Sequence, residues 1–289
     1  MSPELLAWLV EPLRYPFMLR GMLAAVLVGV VCALVGTYVI LRGMAFFGDA
    51  LGHAILPGVA VGYLLSGGNL GSLFWWALGT AVLTALGIGA VGRHTRLKED
   101  TTIGIVFTGM FALGIAIISR ARSYTVDLVH FLFGNVLAVS GPDLVRPALF
   151  GAVVLLFIFA FYKELLVLTF DETLAFTLRL PVRALYYVLL VMVAVTTVTS
   201  MQTVGVALVL AMLVTPPATA YLFTRRLPAM MALAAALGAL AGVVGLYVSY
   251  HLGIASGAAI VLVSASLFFL GLLCAPRRGR ARSPARGHG

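Results

Sequence analysis

Residues 184–224 contain no charged side chain, and residues 229–276 contain no Asp, Glu, Lys or Arg and a single histidine, His251. A backbone passing through lipid must satisfy its own N–H and C=O groups, and runs of this length do so as helices. The rest of the chain agrees. Of its 289 residues 62% are hydrophobic and only 10% charged, against about 25% charged in globular domains. Mean hydropathy is +1.10. The sequence is that of an all-α, polytopic membrane protein, and a soluble domain is excluded.

Apolar runs occupy 17–41, 54–66, 72–92, 101–119, 144–162, 184–200, 204–223, 229–250 and 257–275. The second has only thirteen residues and contains Pro57 and Gly58, a length more typical of a re-entrant segment than of a span of about 20 residues. If 44–66 dips into the bilayer there are eight spans and both termini are cytoplasmic; if it crosses, there are nine and the N-terminus is outside. The shorter count is preferred here, because Arg14 and Arg20 then obey the positive-inside rule and Asp49 and His53 lie in the outer half of the membrane. Positive charge clusters at Arg93, Arg96 and Lys98, between Lys163 and Arg183, at Arg225–Arg226, and at five arginines beyond Ala275. The positive-inside rule makes all four cytoplasmic. The chain therefore reads as one permease domain, 1–275, followed by a basic cytoplasmic tail, 276–289, expected to be disordered. Such a distribution explains the net charge of +9 without nucleic acid. The first sixteen residues carry Glu4, Glu11 and Arg14 and read as an amphipathic lead-in rather than a cleaved signal. Cys32 and Cys274 have no metal-type spacing and are assigned to packing.

Among the fifty residues between Arg42 and Arg93 the only charged side chain is Asp49, followed four positions later by His53. On a helix these share a face with Cβ atoms about 6 Å apart. A carboxylate in the bilayer centre costs roughly 2.5–3.5 kcal/mol on insertion scales. Residues alone leave three readings open: a divalent-metal site, a proton path, or a structural hydrogen bond. The segment Val126–Val139, with Asp127 and His130, reads as an interfacial or re-entrant piece of an external loop. Gly21, Ala25, Gly29 and Ala33 form a small-residue stripe for close helix packing, within the chain or across a dimer. Thr215-Pro216-Pro217 predicts a break in the segment 204–223.

Thr169-Phe170-Asp171-Glu172 has the form of a capping box with Thr169 as N-cap. Phe170, Leu174 and Leu178 then repeat every fourth residue up to Pro181, with Ala175 placed beside that ridge. This predicts a short amphipathic helix that lies on lipid or docks into a cytoplasmic partner. The chain has no P-loop, no H-E-x-x-H and no G-x-S-x-G, so it is expected not to be an enzyme.

These residues carry a resemblance. Leu34–Gly62, Phe131–Asn135, Thr169–Val182, Gln202–Ala220 and Ser249–Val261 are similar, in order, to blocks of the manganese/zinc/iron permease family of ABC importers. The resemblance covers about 12–272 and implies the ABC importer permease fold, in a bacterial plasma (inner) membrane. It also implies a second permease copy, separate cytoplasmic ATPase subunits, and an external metal-binding lipoprotein or periplasmic protein. No permanent cofactor is implied; the ion carried is Mn, Zn or Fe. The D-A-L-x-H-A element matches Asp49, Ala50, Leu51, His53 and Ala54, which assigns the metal to Asp49 and His53. The coupling helix matches Asp171–Leu180, which assigns ATPase coupling to Phe170, Asp171, Glu172, Leu174, Ala175 and Leu178. Two positions depart from the family pattern: Arg179, where a glycine is usual, and Gly253, where an acid is frequent. A proton-coupled secondary metal transporter is the alternative, against which the docking helix weighs.

Overall fold

A computed structural model describes residues 10–66, 70–95, 97–119 and 136–275, and every regular element among them is helical. In chain order these are α1 (Pro16–Leu41), α2 (Phe47–Ala54), α3 (Leu56–Ser66), α4 (Leu70–His94), α5 (Glu99–Ser119) and α6 (Val145–Ala160). There follow α7 (Tyr162–Phe170), α8 (Glu172–Thr177), α9 (Val182–Val204), α10 (Val206–Phe223), α11 (Leu227–Leu252) and α12 (Ser256–Cys274). The Val126–Asn135 part of the external segment, with Asp127 and His130, and the tail 276–289 lie outside the described residues.

Nine helical stretches among the described residues are long and apolar enough to cross a membrane. The preference for eight is therefore corrected. Only Ile55 separates α2 from α3, its backbone is helical (φ −74°, ψ −13°), and its carbonyl accepts from the Val59 N–H at 3.0 Å. Pro57 sits in the first turn of α3, where its missing N–H costs nothing. The two pieces thus run on as Phe47–Ser66, 20 residues, enough to span.

The ends of the bundle fix the polarity. At one end Arg42 meets Glu99 and Arg93 meets Glu172. At the other the Tyr15 ring lies 6.1 Å from that of Tyr250, and a Cβ on Gly21 would approach the Val136 carbonyl oxygen at 3.2 Å. The N-terminal lead-in therefore lies at the end opposite the basic loops, as nine spans require.

Small residues decide how closely helices approach. The α1 stripe packs on α11 inside the chain: a Cβ on Gly29 would lie 2.9 Å from the Gly238 carbonyl oxygen, and one on Gly242 would lie 3.1 Å from Ala25 Cβ. The prolines do not break α10. That helix continues through Pro216 and Pro217, and the Thr219 hydroxyl donates to the Thr215 carbonyl at 2.8 Å. Pro217 leaves the Leu213 carbonyl without a helical donor, and that oxygen abuts Gly36 of α1 so closely that a Cβ there would overlap it. The break lies earlier, at Gly205 (φ 90°, ψ 159°), between α9 and α10. α1 and α9 are the most buried spans, while α5, α6 and α12 are the least buried. Cys32 is buried and its thiol contacts the Ser200 hydroxyl at 3.7 Å, consistent with packing; Cys274 is exposed at the end of α12.

Candidate functional site

α2 is the eight-residue helix Phe47-Gly-Asp-Ala-Leu-Gly-His-Ala54. Its apolar side, Phe47, Leu51 and Ala54, is fully buried. The other side carries Asp49 and His53. Two glycines let it sit deep: at Gly48 a Cβ would overlap the Leu213 side chain, and at Gly52 it would lie 3.2 Å from Val206 Cγ1. Asp49 falls in the first helical turn, where the positive end of the helix dipole favours a carboxylate.

The expected pair forms. His53 Nε2 lies 3.5 Å from Asp49 Oδ1, with side-chain exposures of 40% and 36%. Two donors each about 2.1 Å from an ion at a tetrahedral angle stand roughly 3.4 Å apart, so this separation fits a shared ion. The imidazole is held against Phe107 and Phe111 of α5, with ring centroids 6.2 and 6.0 Å away. These rings flank residue 109, the middle of Glu99–Ser119. Those contacts set His53 near mid-depth, which corrects the placement in the outer half: once 47–66 crosses from the basic end, Asp49 and His53 are only its third and seventh residues of 20 and do not pass the middle. No third His, Cys, Asp or Glu joins them among the described residues, and the half-open face leaves room for further ligands from outside the chain.

Sequence reading missed a polar face beside this helix. Thr196, Thr197, Thr199, Ser200 and Thr203 of α9 are all buried. The hydroxyls of Thr196 and Thr197 have no hydrogen-bond partner among the described residues, and Thr197 Oγ1 lies 4.0 Å from where a Gly48 Cβ would stand. The available signal was the density of hydroxyls in an otherwise apolar run, 196–203.

The short helix expected after Thr169 also forms, with shifted caps. Thr169 is inside α7, its hydroxyl donating to the Leu165 carbonyl at 2.7 Å. The N-cap of α8 is Asp171, whose Oδ1 accepts from the Leu174 N–H at 2.9 Å. An aspartate followed three residues later by an exposed backbone donor is as good a cap as threonine. Glu172 points back to Arg93, Nη2 to Oε1 3.7 Å. Phe170, Leu174, Phe176 and Leu178 expose 59%, 46%, 58% and 55% of their surface, an apolar ridge facing away from the bundle. Ala175 is at 0% exposure and faces inward, not beside the ridge as expected. Arg179 is the only non-glycine among the described residues with positive φ, 56°. The helix there closes with the Leu180 N–H on the Ala175 carbonyl at 3.1 Å, a C-cap geometry that favours glycine.

A model of the ABC 3 transport family matches residues 14–275. The chain is 48% identical over 267 residues to the manganese transport system membrane protein MntC of Halalkalibacterium halodurans, covering 92% of this chain and 90% of that one. It is 38% identical over 266 residues to a "Probable iron transport system membrane protein" of Haemophilus influenzae, covering 92% and 96%. Among solved structures it superposes on PsaBC from Streptococcus pneumoniae in complex with Fab with a TM-score of 0.80 at 40% identity, covering 94% of this chain and 96% of that one.

Proposed function

The chain belongs to the ABC 3 transport family, and from that premise we propose that it is the permease of an ATP-driven importer that carries a divalent transition metal, manganese foremost. The observation that supports this reading best is the isolated Asp49–His53 pair, 3.5 Å apart at mid-depth of a nine-span bundle. The named function of relatives at 48% and 46% identity, manganese transport, supports the choice of ion.

Carboxylate and neutral imidazole suit Mn²⁺, Fe²⁺ or Zn²⁺, and the absence of thiolate or thioether donors in the pair disfavours Cu(I). Two donors per chain leave a four-ligand site half complete. A second permease copy, meeting the first at this half-exposed face, supplies the other carboxylate and imidazole. In that site the ion exchanges hydration for protein ligands, with the Phe107 and Phe111 rings excluding water from one side. The basic end is cytoplasmic in the bacterial plasma membrane. There the ridge of Phe170, Leu174, Phe176 and Leu178 inserts into a groove of a separate ATPase subunit, which performs the hydrolysis. An external metal-binding protein delivers the ion at the opposite end, and α2 opens alternately to each side as the ATPase cycles.

The test is uptake of radioactive Mn²⁺ by cells expressing the full transporter. Asp49→Ala and His53→Ala should each abolish uptake while the permease still assembles with its ATPase. Normal uptake by either variant would remove the pair from the pathway.

A further inference from the structure

At the basic end four helices contribute to one charged cluster around a single ring. Tyr186, in the first turns of α9, is 6% exposed. The guanidinium carbons of Arg42 and Arg93 each lie 5.0 Å from its ring centroid. Its hydroxyl lies 3.5 Å from Glu99 Oε1, which also faces Arg42 Nη2 at 4.0 Å. Arg93 reaches on to Glu172 of the coupling helix at 3.7 Å. Arg42 is nine-tenths buried, and its Nη1 has no hydrogen-bond partner among the described residues. Burying a guanidinium with an unmet donor is costly, and a fold needing only to cap a helix would not place one there.

What the cluster joins explains its position. Arg42 caps α1. A tight turn follows, with Met44 N–H on the Val39 carbonyl at 3.0 Å and Phe47 N–H on the Met44 carbonyl at 2.9 Å. Gly43 takes φ 72° there, and α2 begins at once with Asp49 in its first turn. A fixed Arg42 therefore fixes the entry of the Asp49–His53 helix. At the far side Glu172 is the first residue of α8. The contacts form an unbroken path: α8, Glu172, Arg93, Tyr186, Arg42, α2. Each contact is long or only partly desolvated, and a cavity of about 540 Å³ lined by Arg42, Arg93, Glu99, Glu172, Arg183 and Tyr186 lies beside them. The partners have space to exchange.

We propose that Tyr186, with Arg42 and Arg93 against its ring, is a positioning element that transmits movement of the coupling helix to the Asp49–His53 helix. It rests on the importer reading above. Tyr186 touches neither the ion nor the ATPase; it sets how much ion is moved per nucleotide hydrolysed.

The test uses the complete permease–ATPase complex in proteoliposomes, measuring Mn²⁺ transported per ATP hydrolysed together with Mn²⁺ binding. Tyr186→Leu removes the ring and should lower the transport-to-hydrolysis ratio about fivefold or more, the scale of ordinary coupling between sites, with Mn²⁺ binding retained. Tyr186→Phe keeps the ring face and should stay within about twofold of wild type. A wild-type ratio in Tyr186→Leu, or an equal loss in Tyr186→Phe, overturns the proposal. If Tyr186→Leu does not assemble, Arg93→Gln carries the test on a less buried residue: the same fall supports the link, and an unchanged ratio overturns it. A wild-type complex that hydrolyses ATP without moving Mn²⁺, Fe²⁺ or Zn²⁺ would instead overturn the importer reading, and the link with it.

Discussion

Gly36→Ala is the substitution whose cost the packing fixes most firmly. Gly36 lies on α1 where that helix crosses α10, and an added Cβ would overlap the Leu213 carbonyl oxygen, 2.8 Å from its carbon and 3.0 Å from Pro217 Cγ. None of these atoms can swing aside. Two belong to the backbone and the third to a proline ring inside the helix. Forcing a methyl into a filled core costs about 1–3 kcal/mol, and the rigidity here puts the cost at the upper end. Alanine returns up to about 1 kcal/mol of helix propensity, so the net loss is about 2 kcal/mol. Gly79→Ala is the control: among the described residues nothing lies within 4 Å of its Cβ position, so only the propensity gain of about 0.5–1 kcal/mol remains. Unfolding of the purified permease in a graded denaturing detergent should rank Gly79→Ala at or above wild type and Gly36→Ala below both. Gly36→Ala as stable as wild type would refute the reasoning that this crossing is in backbone contact.

Three further outcomes are expected. Leu174→Asp should leave the permease folded but weaken ATPase docking by about 2 kcal/mol, roughly thirtyfold in co-purification affinity, whereas Ala175→Glu should damage the fold of the segment itself, because Ala175 is fully buried; limited proteolysis of the 163–183 loop separates the two. Arg179→Gly should stabilise that loop by about 0.5–1 kcal/mol, since a left-handed L-residue costs about 1–2 kcal/mol and glycine's extra unfolded freedom returns part of it; slower proteolysis of the variant is the expected sign and faster proteolysis would refute it. Single-cysteine labelling with an impermeant reagent should reach the exposed positions 14 and 252 from outside the cell and not position 98, and protection of position 14 would restore the eight-span topology.

The spans and the Asp49–His53 face were legible in the sequence because each depends on local pattern: charge-free length for the spans, i, i+4 spacing for the pair. The exposed ridge at Phe170, Leu174 and Leu178 followed from the same spacing. What failed depended on partners. Thr169 was as good a cap as Asp171 until α7 was seen to extend over it. Ala175 could be placed inward only once the packing of α8 was known. Pro216 and Pro217 predict a break, but the Leu213 carbonyl that Pro217 frees meets Gly36, far away in sequence, and the helix holds. The mid-depth of His53 required α5, because only the Phe107 and Phe111 contacts give its level. Nothing local could have brought Arg42 and Arg93 to one tyrosine on α9.

In the proposed site one ion sits between two copies of the Asp49–His53 pair. Pulsed electron paramagnetic resonance on the Mn²⁺-loaded permease–ATPase complex reads it directly, through the hyperfine coupling of imidazole nitrogen to the metal. One bound Mn²⁺ per two permease chains, two nitrogen couplings, and loss of both in His53→Ala are expected. Bound Mn²⁺ whose nitrogen couplings persist unchanged in His53→Ala would contradict the proposed site.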